Sequence, residues 1–83
     1  MFVVKLTARA KKELKTIPVR YKDSLSQVFE ELRDDPLSGK PLTRELAGHF
    51  SYKIGVLRII YRVNRQNRTV LILTAGHRST IYN

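Results

Sequence analysis

Residues 46–83 include no acidic residue. All seven Asp and Glu lie between Glu13 and Glu45, whereas the last thirty-eight residues contain six Lys or Arg. The formal charge of +9 therefore divides into +3 for residues 1–45, with ten basic and seven acidic side chains, and +6 for residues 46–83. Basic residues without neighbouring carboxylates predict a surface for a polyanion, and RNA is the most abundant polyanion in a cell.

Other absences narrow the class of protein. Cysteine is missing, which excludes a disulfide framework and thiolate chemistry. The apolar run at the start is too short for a signal peptide, and no stretch approaches the ~20 apolar residues of a membrane span. We therefore expect a cytoplasmic protein with no membrane contact. A chain of 83 residues predicts a single domain, residues 1–83, with a small core.

Hydrophobic periodicity predicts the element order β-α-α-β-β-β. Residues 2–6 form a strand, Thr7 caps a first helix, and Pro18 begins a second helix that ends at Asp34-Asp35-Pro36. Residues 36–48 contain two prolines and two glycines and predict a loop, with at most a short strand or turn near residues 40–46. Further strands are predicted at 50–54, 57–63 and 70–75. The expected fold class is α+β, with two N-terminal helices on one face of a mainly antiparallel, twisted sheet of about four strands.

Alternation along these strands separates an apolar face from a basic one. Residues such as Phe50, Ile59 and Tyr61 face the helices, and Arg58, Ile60 and Arg62 alternate outward. The predicted basic cluster consists of Lys53, Arg58, Arg62 and Arg78, with Tyr82 nearby. Any one of these residues is explained most simply as a solvated strand residue. Four cations without a carboxylate repel one another, however, and this repulsion favours an anionic ligand.

Such a surface suits RNA cleavage by the RNA's own 2′-hydroxyl. This reaction needs a base for the 2′ proton, cations for the charge at phosphorus, and an acid for the leaving 5′-oxygen. Lys and Arg meet the second need directly, and neighbouring cations favour the neutral form of a lysine that acts as base. Tyr82 is placed to stack on a base or share its proton.

The sequence offers little for metal or cofactor chemistry. His49 and His77 are not at metal-ligand spacing, and no Gly-rich phosphate loop is present. We therefore predict no metal and no cofactor. His77 precedes Arg78 and is a candidate to assist catalysis, although a structural or substrate-positioning role is favoured over a catalytic one.

Several short motifs in order along nearly the whole chain resemble the RelE/ParE toxin superfamily, and its RelE-like mRNA interferase branch in particular. The motifs are Ala8-x-x-x-Lys12-Glu13-Leu14, Asp35-Pro36, Gly39-Lys40-Pro41-Leu42, Glu45-Leu46-x-Gly48, Tyr52-Lys53-Ile54-Gly55-x-x-Arg58-Ile59-Ile60-Tyr61-Arg62-Val63, and Gly76-His77-Arg78 with a late Tyr82. The resemblance implies a RelE-like fold, similar to small microbial ribonucleases. It implies the toxin of a type II toxin–antitoxin pair, which cuts mRNA in the ribosomal A site without metal.

The resemblance also implies roles for individual residues. Arg58 corresponds to an arginine that stabilises the transition state, Arg78 to a general acid or phosphate contact, and Tyr82 to a tyrosine that orients the substrate. Lys53 corresponds to one of two alternating basic positions. Further RNA contacts are predicted for Arg62, His77 and Ser51.

One basic position of the family pattern is not basic in this chain. It falls on Ser51 or on Gly55, according to how the hairpin is aligned. The general base is then either missing or supplied by Lys53 alone.

The implied partner is an acidic, RelB-like antitoxin, through which the pair contacts operator DNA. Two other functions stay open: a ParE-like inhibitor of DNA gyrase, and a basic nucleic-acid-binding module without catalysis.

Overall fold

Two helices cover one face of a five-stranded sheet. The computed structural model describes residues 1–77. Its elements are β1 (Val3–Leu6), α1 (Ala8–Lys15), α2 (Lys22–Asp34), β2 (Lys40–Pro41), β3 (His49–Ile54), β4 (Leu57–Asn64) and β5 (Thr69–His77), with 3-10 turns at Val19–Tyr21 and Arg44–Leu46. The strand order is β1-β5-β4-β3-β2. The β1–β5 pair is parallel and the other pairs are antiparallel.

The predicted α+β class and element order are confirmed, and the main differences are a later start of the second helix, an additional short strand and a longer last strand. The second helix begins at Lys22 rather than at Pro18, because Pro18 is extended (φ −55°, ψ 143°) and a 3-10 turn follows it. The segment Lys40–Pro41 pairs with β3 and adds a fifth strand. Strand β5 continues to His77, because the first residues of β4 offer backbone partners to Gly76 and His77.

The helix termini follow their sequence signals. The Thr7 hydroxyl accepts a hydrogen bond from the Ala10 amide (3.0 Å) and donates one to the Leu73 carbonyl (3.0 Å). It therefore caps α1 and also fixes the start of that helix against β5. Helix α2 ends before Asp35-Pro36, where the residue preceding proline leaves the helical region.

The core lies between the helices and one face of the sheet. It is built from aliphatic residues of the helices and of the segment between them, and from inward-facing residues of β4 and β5, with Tyr61 its largest fully buried side chain. The members are Ala10, Ile17, Leu25, Val28, Leu32, Leu57, Ile59, Tyr61, Val70, Ile72 and Ala75. The opposite face, called here the second face, carries Ser51, Lys53, Arg58, Ile60 and Arg62 by alternation. Ile60 was expected to point outward; it does lie on this face, but it is 5% exposed and therefore buried.

A β-bulge lies where α1 crosses the sheet. Pairing with β4 shifts between Ile60 and Tyr61, which lie opposite Thr74 and Ile72. The Glu13 carboxylate accepts hydrogen bonds from the Thr74 hydroxyl (2.7 Å) and the Ala75 amide (3.2 Å) at this irregularity. Partial burial acts to raise the pKa of Glu13, but these hydrogen bonds and the Arg9 charge outweigh it and lower the pKa below 4.5. The ionised carboxylate therefore joins α1 to β5.

Glu13→Gln tests this link, because it keeps the shape of the side chain and removes its charge. We expect the free energy of unfolding to fall by roughly 1–2 kcal/mol at neutral pH, the scale of a charge-assisted hydrogen bond. A lowered carboxyl pKa stabilises the fold above the unfolded pKa, and this stability is lost as pH falls through the folded pKa. The difference from wild type should thus be complete above about pH 5 and shrink below the ordinary value of 4.5. Urea unfolding at several pH values measures it.

Glu30→Gln is the matched control. Glu30 is exposed, and its Oε1 lies 3.9 Å from Nη1 of Arg33 on the same helix. The loss of its charge should therefore change the free energy of unfolding by less than about 0.5 kcal/mol. Equal effects of the two substitutions, or a Glu13→Gln effect that persists unchanged at pH 3, would contradict the link.

Candidate functional site

A groove of about 460 Å³ opens beside strands β2, β3 and β4. Three of its lining residues are basic, and none of the described ones is Asp or Glu. The lining residues are Ser38, Gly39, Lys40, Leu42, Ser51, Tyr52, Lys53 and Arg58. The groove therefore has the charge expected of an anion-binding site.

Lys53 and Arg58 both line the groove. They lie directly opposite each other across the β3–β4 pair, on either side of the hairpin turn at Gly55-Val56. Directly opposed residues have Cβ atoms about 4.5–5.5 Å apart and point to the same side of a sheet, and like charges in that arrangement are destabilising. Lys53 is exposed and Arg58 is half-buried. The structure thus brings together two of the predicted catalytic residues.

The hairpin geometry decides which residue occupies the alternating position beside Lys53. Gly55 lies in the turn, with a φ of +59° that suits glycine, and is not part of β3. Ser51 is the β3 residue on the same side as Lys53, and it lies opposite Ile60. It is 5% exposed and contributes to the groove lining.

Tyr61 holds the loop that forms one wall of the groove. Its ring is fully buried and stacks on Phe50, with ring centroids 5.4 Å apart. Its hydroxyl donates to the Pro36 carbonyl (2.9 Å) and accepts from the Gly39 amide (3.0 Å). Burial raises the pKa of the Tyr61 phenol, although the hydrogen bond from the Gly39 amide opposes this. The neutral phenol therefore remains available for both bonds.

A second tyrosine ties the groove to helix α2. The Tyr52 hydroxyl donates to a carboxylate oxygen of Glu31. That hydrogen bond, with burial and the Glu31 charge, raises the pKa of Tyr52 to about 12. The Glu31 carboxylate of α2 is therefore hydrogen-bonded at the border of the groove.

Arg62 does not join Lys53 and Arg58. It lies opposite His49, four residues along β4 from Arg58, which corresponds to about 13 Å of strand. It lines a separate hollow of about 540 Å³, whose other basic residues are Lys5 and Arg65. The basic face is thus divided into a groove and a hollow.

The remaining predicted residues lie elsewhere. His77 is exposed and pairs with Leu57, so the register assigns it to the helix side of the sheet, whereas Gly76 pairs with Arg58. Arg78 and Tyr82 lie outside the described residues. Lys40 was not a predicted site residue, because its Gly- and Pro-rich surroundings indicated a loop.

Within residues 1–77 no group of three or more His, Asp or Glu is arranged to hold a metal ion. No helix in this range is long and apolar enough to cross a bilayer.

The fold and the basic groove define the class of protein: a small α+β domain with the architecture of RelE toxins. The structure of isolated RelE from E. coli matches with a TM-score of 0.81 at 20% identity, over 99% of this chain and 92% of that one. The toxin–antitoxin complex RelBE2 from Mycobacterium tuberculosis contains a chain that matches with a TM-score of 0.84 at 38% identity, over 93% of this chain and 98% of that one.

Sequence comparison identifies the family. Residues 4–82 match the model of the ParE toxin of type II toxin–antitoxin systems. Toxin RelG of Mycobacterium tuberculosis is 40% identical over 83 residues, which cover 98% of this chain and 95% of RelG. The chain belongs to this family of type II toxins, in the RelE/ParE superfamily, as its motifs predicted.

Gly39→Ala tests whether the groove wall depends on close packing. A methyl group at position 39 would lie 2.9 Å from the Ser51 carbonyl oxygen and against the Tyr61 hydroxyl. We expect a loss of about 1–3 kcal/mol in the free energy of unfolding, as for other overpacked sites. For a domain of this size each kcal/mol corresponds to roughly 4–8 °C in Tm.

Thermal unfolding followed by circular dichroism measures the shift. Ser38→Ala, at the exposed neighbouring position, is the control and should leave Tm nearly unchanged. A Gly39→Ala variant as stable as the control would show that the loop is not held against β3 and Tyr61.

Proposed function

We propose that this toxin is a ribosome-dependent endoribonuclease that cleaves mRNA in the A site and so inhibits translation. The observation that carries the proposal is the direct juxtaposition of Lys53 and Arg58 in a groove whose described lining has no Asp or Glu. A phosphodiester is the anion that such a groove suits. The resemblance to RelE toxins adds the ribosome and the mRNA to this chemistry.

In the proposed reaction the RNA supplies its own nucleophile. The 2′-oxygen attacks the adjacent phosphorus and its proton passes to a base. The bond from phosphorus to the 5′-oxygen breaks, and an acid protonates that oxygen. The products are a 2′,3′-cyclic phosphate and a 5′-hydroxyl, and the balance needs no oxidant, reductant or metal. Cations in the groove stabilise the extra negative charge of the pentacoordinate transition state.

The roles follow the family pattern and the positions of the residues. Lys53 is the proposed base, and it lies directly opposite Arg58. Arg58 binds the phosphoryl oxygens. Arg78 is the proposed acid or a further phosphate contact, and Tyr82 orients the substrate.

The remaining predicted RNA contacts are assigned by position. Ser51 offers a hydroxyl on the floor of the groove. Arg62 is proposed to hold RNA at the separate hollow, away from the bond that is cut. His77 stays a prediction for a substrate-positioning role on the other side of the sheet.

We also propose an acidic, RelB-like antitoxin as the partner. Two of the structures that match this chain are toxin–antitoxin complexes. They are RelBE2 from Mycobacterium tuberculosis and RelE–RelB from Pyrococcus horikoshii. An anionic partner would relieve the repulsion on a chain of net charge +9. Operator DNA is then contacted through the antitoxin.

Inhibition of DNA gyrase is the second candidate function. The observation that favours it is that the matching family model is the one for ParE toxins. The groove cations argue for the RNA branch, since a gyrase inhibitor does not require an RNA-cleaving cluster.

Expression from a tightly controlled promoter, followed by primer extension to map mRNA 5′ ends, distinguishes these functions. The wild-type chain should produce growth arrest and cuts within codons, in frame. Arg58→Ala and Arg78→Ala should each reduce cutting by roughly 100-fold or more, the scale of losing one group that stabilises transition-state charge.

Lys11→Ala is the control for charge. It removes one cation from an exposed position on α1 and should leave cutting unchanged. Growth arrest without cuts would favour gyrase inhibition, and no arrest would leave a binding module without catalysis.

A further inference from the structure

Lys40 is the third cation of the groove, and the proposed mechanism leaves it unused. It belongs to β2, the two-residue strand at the edge of the sheet, and its side chain lines the groove with Lys53 and Arg58. We propose that Lys40 is a further catalytic residue: its ammonium binds the scissile phosphate and stabilises the transition state. This inference rests on the proposed ribonuclease function.

Register brings Lys40 within reach of the same phosphate. Lys40 lies directly opposite Ser51 on β3, and Ser51 is two residues from Lys53 on the same side of that strand. Diagonal neighbours on adjacent strands are about 7–8 Å apart, and long side chains cross that distance. Three neighbouring strands therefore present Lys40, Lys53 and Arg58 to one groove.

The backbone around Lys40 is fixed on both sides. On one side the Gly39 amide donates to the Tyr61 hydroxyl (3.0 Å). On the other the Leu42 amide donates to the His49 carbonyl (2.9 Å). Position 39 has no room for a side chain between Tyr61 and the Ser51 carbonyl, so the strand packs closely on β3. A fixed backbone loses less entropy when its side chain engages a ligand, and this favours a functional position over a chance one.

The charges around the groove favour an anion between the three side chains. The ion pairs Arg9–Glu13 and Arg33–Glu30 join helix residues, and Glu31 is bound to Tyr52. Three cations that line one groove repel one another, and a bound anion reduces this repulsion. A phosphoryl group gains charge in the transition state, so the stabilisation is greatest there.

Single-turnover cleavage of a defined mRNA on purified ribosomes, with toxin in excess, tests the proposal. Lys40→Ala should reduce the first-order cleavage rate at saturating toxin by roughly 100-fold. Lys40→Arg, which keeps the charge, should recover most of the rate. Lys11→Ala should cleave like wild type, and circular dichroism should show equal Tm values for all variants.

A second measurement determines the affinity of the same toxin variants for an RNA with a 2′-deoxy nucleotide at the cut site, at several salt concentrations. Loss of one phosphate contact to a single strand should reduce the slope of log affinity against log salt by about 0.7 in Lys40→Ala. Lys11→Ala should keep the wild-type slope.

The outcomes separate the two proposals. Wild-type cleavage with Lys40→Ala equal to Lys11→Ala would overturn the role of Lys40 and leave the ribonuclease function standing. Absence of cleavage by the wild-type chain would refute the ribonuclease function, and the catalytic role of Lys40 with it. A slow Lys40→Ala variant that Lys40→Arg does not improve, at equal Tm, would also count against a role based on charge.

Discussion

Both the core and the groove depend on Tyr61, through its buried ring and the hydrogen bonds of its hydroxyl. Its ring is fully buried among the residues that join the helices to the sheet, and its hydroxyl is hydrogen-bonded to the Pro36 carbonyl and the Gly39 amide. A buried hydroxyl that lost these partners would carry a desolvation cost of about 1–3 kcal/mol, and this cost favours the conformation in which the loop supplies both partners. A segment rich in Gly and Pro thereby becomes a fixed wall.

The uneven charge of the sequence has a structural explanation. Glu13 receives hydrogen bonds from β5, and Glu31 receives one from Tyr52, so these acids join the helices to the sheet. The carboxylates of Glu13 and Glu31 are therefore hydrogen-bonded on the helix side of the sheet. The strands bring Lys53, Arg58 and Arg62 to the second face, and no Asp or Glu follows Glu45 in the chain. An anionic ligand or partner that binds this face stabilises the fold by mass action as well as by charge.

Local patterns in the sequence were sufficient to predict most of the fold. The period of two marked β3 and β4, Thr7 marked the start of α1, and Asp35-Pro36 marked the end of α2. The start of α2 was predicted wrongly, because Pro18 is extended and precedes a 3-10 turn, and the α-helix begins only after that turn, at Lys22. Strand β2 exists through its pairing with β3 and through Tyr61, which lies twenty-two residues from Gly39. No window of the sequence contains that information.

The same limit applies to the candidate site. The opposition of Lys53 and Arg58 follows from a short hairpin and was accessible to sequence reasoning. The groove residue Lys40 was missed because it depends on long-range pairing. The position of His77 depends on the bulge: one extra residue in β5 exchanges the two faces beyond it, so that His77 pairs with the core residue Leu57.

The division of the second face follows from the same alternation. Between Arg58 and Arg62 the outward position on β4 is Ile60, which is buried, as is its β3 partner Ser51. The cations therefore do not form a continuous stripe, and about 13 Å of strand separates the groove from the hollow around Lys5, Arg62 and Arg65. A polyanion that reaches both must be extended. In the proposed ribonuclease the hollow would then contribute binding energy that is equal in the ground and transition states, whereas the groove alone would act on the phosphate that is cut.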